Sequence, residues 1–204
     1  MTFLKFEHRK IPSELNLRKE IFIALGVFLL GILLGVIAKA ADSVSLIGDI
    51  GTDLAVWVLL GTLIAAYSRR PFSAAINELL FFLGLLVGYY AYCQFVLGFF
   101  PQAYCLGWLI VAVLAAPCAA ILWFARSPGL TGSLITALPA GLIFAWSYPA
   151  FYSGQIVLIL GLGYALLICT LLPNGLKMKL AALAAAVLAA FIINTFHLTY
   201  LLPF

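Results

Sequence analysis

Residues 72–97 read FSAAINELLFFLGLLVGYYAYCQFVL, a run of 26 residues whose single charged side chain is Glu78. A bilayer's hydrocarbon core is ~30 Å thick and takes about 20 helical residues to cross, so this run is long enough. It shows no strict alternation of apolar and polar residues, which a barrel strand would need, and a helix is therefore the spanning structure expected. Pro71 stands just before the run, where its fixed φ suits a first helical turn, and Ser68-Arg69-Arg70 form the polar break ahead of it. The composition of the whole chain agrees. Of 204 residues 66% are apolar and 9% charged, against roughly 45–50% and 25% in soluble domains. Eleven Lys or Arg and seven Asp or Glu cannot cover a surface facing water. The net charge of +4 is scattered over short polar breaks rather than gathered into a phosphate-binding stripe, which argues against a nucleic-acid partner. The apolar content excludes intrinsic disorder.

Outward from this stretch the chain divides into seven apolar runs: 21–40, 50–67, 72–97, 104–125, 130–147, 155–172 and 179–201. The breaks carry turn residues, among them Phe100-Pro101-Gln102, Arg126-Ser127-Pro128-Gly129, Tyr148-Pro149 and Pro173-Asn174-Gly175. The expected fold is an all-α, polytopic transmembrane bundle of seven helices. Residues 1–20 form a cytoplasmic N-terminal segment, partly interfacial, and 21–204 a single transmembrane domain. A signal peptide ending at Ala38-Lys39-Ala40 is the weaker reading, because the apolar run is too long for an h-region and a Lys sits inside the cleavage triplet.

Orientation follows from the basic residues. With seven crossings, one side receives Lys5, Arg9, Lys10, Arg18, Lys19, Arg69, Arg70, Arg126, Lys177 and Lys179, and the other receives Lys39 alone. This places the N-terminus in the cytoplasm and Phe204 outside. A count wrong by one would move the later basic loops across and destroy the asymmetry.

Small residues mark the faces that let helix backbones approach. Gly31 and Gly35, Gly84 and Gly88, and the alanines from Ala181 to Ala190 recur at four-residue spacing. They are expected to serve as packing faces, toward other helices, a membrane-protein partner or a second copy. Trp57, Trp108, Trp123 and Trp146 fall near run ends, as headgroup anchors do. Cys93, Cys105, Cys118 and Cys169 have no metal-binding spacing; Cys93 and Cys105 flank one loop and could bridge it.

Ionisable and strongly polar groups within membrane helices are costly and usually face a bundle interior or a wet cavity. Glu78 leads them, seven residues beyond Pro71 and so about 10 Å along the helix, with Asn77 beside it. Either Glu78 is a cation or proton site, with Arg69, Arg70 or Arg126 modulating it, or it forms a structural ion pair with one of those arginines. Toward the opposite end lie Asp53, Asn194 and His197, the further candidates for a solute or ion pathway. Asp49 and Asp53, four apart, fall in opening turns of the second run, where the helix dipole favours carboxylates. Asn194 lies inside the last run and is the least explained. No zinc-protease, hydrolase-elbow or Walker motif is present, and the histidines, His8 and His197, are expected on opposite sides. No catalytic residue, metal or cofactor is expected.

The stretch from Trp57 through Gly61, Thr62, Ala65, Ser68, Arg69, Arg70 and Pro71 to Ala74, Asn77, Phe81, Phe82, Gly84, Tyr89 and Tyr90 resembles an uncharacterised family of small multi-pass bacterial membrane proteins. Phe99-Phe100-Pro101, Tyr104, Trp108, Pro117 and Trp123 are similar to its following hairpin, so the likeness covers about a third of the chain. The resemblance implies a bacterial plasma membrane and a helical bundle, and brings no activity with it. Three function classes follow: a transporter or channel for a small solute or ion, ranked first; a non-catalytic partner or immunity-type subunit docking another membrane protein; and an enzyme with an unrecognised site.

Overall fold

The computed structural model of the chain describes residues 9–12 and 17–197, the side chain of Ser45 excepted. These residues are overwhelmingly helical, with no strand among them. The elements are α1 (Leu17–Ala40), a 3-10 turn (Ala41–Ser43), α2 (Ser45–Thr52), α3 (Leu54–Tyr67), α4 (Pro71–Phe95), α5 (Gln102–Leu122), a second 3-10 turn (Trp123–Arg126), α6 (Gly129–Ser147), α7 (Ala150–Ser153), α8 (Ile156–Leu171) and α9 (Leu176–Thr195). Pro71 occupies the first turn of α4, as its geometry favours. Pro117 and Pro139 lie inside α5 and α6.

Among the described residues five segments are long and apolar enough to cross a membrane: Leu17–Ser43, Pro71–Phe95, Gln102–Arg126, Gly129–Ser153 and Leu176–Thr195. A sixth appears if α2 and α3 form one interrupted span. Each of the seven apolar runs thus has a helical counterpart, but two are not simple spans. The run 50–67 is interrupted at Asp53, whose carboxylate accepts the backbone N–H of Ala55 at 2.7 Å and so begins a new helix instead of continuing the old one. The run 155–172 yields only the 16 residues of α8, about 24 Å at helical rise. It starts after Gly154, whose φ of 65° ends the preceding turn.

The chain forms two compact units. One comprises Ile11–Thr52 and Tyr67–Ala120, and α1 packed against α4 dominates it. The backbones of these helices touch. A Cβ placed on Gly31 would overlap the Phe81 carbonyl, on Gly35 that of Leu85, on Gly84 that of Phe28 and on Gly88 that of Ile32. The four-residue advance from Gly31 to Gly35 matches the advance from Phe81 to Leu85, so α1 and α4 run parallel. The two glycine pairs expected to serve as packing faces therefore fill each other. On α5, Ala112 completes a small core with Leu86 and Tyr90 of α4, bordered by Cys105 and Trp108. Cys93 and Cys105 are free thiols, the first buried.

The other unit comprises Met1–Lys10, Asp53–Ala66 and Ile121–Phe204. Here α6 packs along α9 and against α8. Ser133 at one end of α6 donates to the Met178 carbonyl at 2.9 Å. Farther along, a Cβ on Gly141 would come within 3.0 Å of the Ala186 carbonyl and 2.7 Å of the Ala189 Cβ. Moving forward on α6 again means moving forward on α9, a second parallel pair. Ala182, Ala186 and Ala190 are the buried alanines of the α9 ladder. Leu59 of α3 joins Ala140, Ile143, Ile168 and Leu172 in one apolar core.

Candidate functional site

Within the α1–α4 unit the buried polar groups gather in the first two turns of α4. Pro71 sets the helix start, and the following residues bring Ser73, Asn77 and Glu78 inside. Asn77 is 4% exposed and donates from Nδ2 to the Ser68 hydroxyl at 3.0 Å, closing the end of α4 against the break before it. Glu78 is 5% exposed, and its Oε2 is fully buried with no hydrogen-bond partner among the described residues. In a protein interior an unpartnered carboxyl oxygen is exceptional, because desolvation without a replacement bond costs several kcal/mol.

The ion pair weighed for Glu78 is not found. Arg69 extends instead to Glu20 in the first turn of α1, at 3.9 Å with the arginine largely exposed. Arg70 and Arg126 each make other interactions. Arg126 belongs to the other unit and follows α5 in a 3-10 turn.

Asp53, Asn194 and His197 lie in the α6–α9 unit, apart in chain organisation from Asn77 and Glu78. Asp53 is a structural group: one carboxyl oxygen caps α3 and the other accepts Trp146 Nε1 at 3.3 Å. The expectation that Asp49 and Asp53 both fall in the opening turns of one helix is corrected here, since α2 ends between them and Asp49 is exposed. Asn194 is in the last turn of α9 rather than deep within a longer helix, because α9 stops at Thr195. His197 follows with φ 52°, its N–H bonded to the Asn194 carbonyl at 3.2 Å, a left-handed helix end of the kind Gly or Asn usually supplies. These two residues terminate a helix; the remainder of run 179–201 lies outside the described residues.

One arrangement escaped sequence reasoning altogether. Arg9 donates from Nη1 to the Ala66 carbonyl at 2.8 Å and to the Trp123 carbonyl at 3.3 Å. Its guanidinium carbon lies 4.2 Å from the centre of the Trp123 ring, and its N–H bonds the Ser127 hydroxyl at 3.0 Å. Carbonyls at helix C-termini have no intrahelical donor and carry partial negative charge, so a cation there satisfies both needs. Burial, with Arg126 nearby, holds the Arg9 pKa below the ordinary arginine value. Trp123 is completely buried beneath this contact, not a headgroup anchor. Nothing local in the sequence pairs position 9 with 123.

Among the described residues no three His, Cys, Asp or Glu side chains gather as metal ligands would. No family model, curated protein or solved structure matches the chain.

Proposed function

We propose that this membrane protein crosses the bilayer of a bacterial plasma membrane seven times from a cytoplasmic N-terminus, and that it moves a small solute or an ion with Glu78 as its coupling site. The observation that carries the reading is the buried Glu78 carboxyl on a spanning helix, its Oε2 without a hydrogen-bond partner among the described residues. A carboxyl so costly to bury, with one oxygen left without a partner, is the mark of an intramembrane functional site.

The topology has support of its own. If α1 and α4 both cross and run parallel, the chain must return once between them, which makes the interrupted α2–α3 pair a crossing. The parallel α6 and α9 require a return through α8 in the same way. With α5 this makes seven. Arg9 bonds the end of α3 and the start of the turn after α5, the two places that a cytoplasmic N-terminal segment would meet in that topology, and the ten-to-one basic asymmetry points to the same side. Docking of a partner through the glycine faces is the weaker alternative, because Gly31 and Gly35 are already filled by the backbone of α4.

Alkaline phosphatase fused after residues 46, 102, 151 or 204 is expected to be active, and after 70, 127 or 176 inactive. For the site, the melting temperature in detergent is followed across pH and monovalent cations. The wild type should respond to at least one of these variables and Glu78→Gln to neither. A wild type indifferent to both, with a Gln variant that melts far lower, refutes the coupling role.

A further inference from the structure

We infer that the ion handled by Glu78 is a proton, taken up and released on the Pro71 side of the membrane; this rests on the coupling role proposed above and names its substrate. The argument is one of ligand count. A bare metal cation needs a shell of several oxygens to replace its water, six or more for the hard divalent ions. Around Glu78 the structure offers one carboxyl group. The adjacent Asn77 commits its amide nitrogen to Ser68, and no cluster of three acidic, His or Cys side chains exists among the described residues. A proton needs no shell. It requires only one basic oxygen, and binding it turns a carboxylate whose burial is very costly into a neutral acid, with no redox change and no other bond broken.

The surrounding charges leave that choice to Glu78. On α1 the ionisable groups are Arg18, Lys19 and Glu20 in the first turn and Lys39 at the far end. Extending the α1–α4 register back from Gly31 and Phe81 puts the apolar residues Ala24, Leu25 and Gly26 level with Glu78. Lys39 is engaged with Asp42 and lies 5.1 Å from the Tyr89 ring centre. From Gln102 to Leu122, α5 has no Asp, Glu, Lys or Arg; its ionisable groups are Tyr104, Cys105 and Cys118. On α4 itself the others are Tyr89, Tyr90, Tyr92 and Cys93; of the two arginines before it, Arg69 turns to Glu20 and Arg70, half-buried at the helix start, is engaged in interactions of its own.

Direction follows from the same helix. Between Glu78 and Tyr89 stand ten consecutive residues without a polar side chain, Leu79 to Gly88. Toward Pro71 stand Asn77, Ser73 and Ser68, all buried hydrogen-bonding groups. Proton exchange in this conformation therefore runs through the short polar side.

The test is infrared spectroscopy of the full chain in liposomes of phosphatidylethanolamine and phosphatidylglycerol. At neutral pH the wild type should show the C=O stretch of a neutral carboxylic acid that shifts in heavy water, is lost in Glu78→Gln and is displaced in Glu78→Asp. Exchanging sodium for potassium or calcium at constant pH should leave the band unchanged. A wild type with no such band at neutral pH overturns the inference without any variant. A band that sodium abolishes at constant pH also overturns it, while keeping Glu78 as an ion site; a site inert to both variables in the melting series above removes the coupling role itself.

Discussion

The contact between α1 and α4 allows a sign test in which one substitution gives opposite results at two positions of the same helix. Gly35 and Gly26 both lie inside α1. Alanine at Gly26 meets nothing within 4 Å, whereas at Gly35 its Cβ would overlap the Leu85 carbonyl and stand 2.8 Å from the Tyr89 nitrogen. In a helix interior Gly→Ala is favourable by about 1 kcal/mol when nothing else changes, so Gly26→Ala should be neutral to stabilising. At Gly35 the obstructing atoms are backbone and cannot swing aside. The helices must part by about 1 Å, and a gap of that order forfeits a quarter to a half of each dispersion contact along the seam. Overpacking of this kind costs about 1–3 kcal/mol, which outweighs the propensity gain. The two variants should therefore differ by roughly 2 kcal/mol, or about 4–8 °C in melting temperature for a chain of this size. Thermal unfolding of the purified protein in one mild detergent, with matched protein concentrations, reads the difference. Gly35→Ala melting at or above Gly26→Ala would show that the backbones are not in contact there, and the parallel pairing of α1 and α4 would fall with it.

Arg9→Lys keeps the charge but loses the planar guanidinium that lies over Trp123 while its Nη1 reaches two carbonyls, so the melting temperature should drop by an amount corresponding to about 1 kcal/mol; an unchanged value would mean that the guanidinium geometry contributes nothing. Asp53→Ala removes the cap of α3, worth about 1 kcal/mol, and frees the Trp146 indole N–H. In a chain whose Trp57, Trp108 and Trp123 are replaced by Phe, the Trp146 emission should shift, and an unmoved spectrum would contradict the bond. Cys105 is partly exposed and Cys93 buried, both as free thiols. A membrane-permeant maleimide should modify Cys105 faster than Cys93 without any reductant, and a reductant requirement for either would establish the bridge that the structure lacks.

Much about this chain is legible without coordinates, because lipid imposes a single strict demand. Every backbone polar group must be satisfied within the segment, so composition and run length point to helices able to cross a membrane, five or six of them among the described residues, and the four-residue spacing of Gly31, Gly35, Gly84 and Gly88 identifies faces on which backbones can approach. The depth of Glu78 follows from its distance to Pro71 in the same way, since helical rise is constant. What a one-dimensional pattern cannot supply is the partner. That the two glycine pairs meet each other, that Arg69 takes Glu20 rather than Glu78, and that Arg9 lies over Trp123 are pairings between residues tens of positions apart, decided by which helices pack side by side. Hydropathy was equally blind to the break at Asp53, because a helix interrupted by one capping carboxylate and a continuous one bury the same apolar residues. The lipid's requirement acts on each segment separately and can be read segment by segment; the role of a buried charge depends on what stands across from it, and only the tertiary structure supplies that.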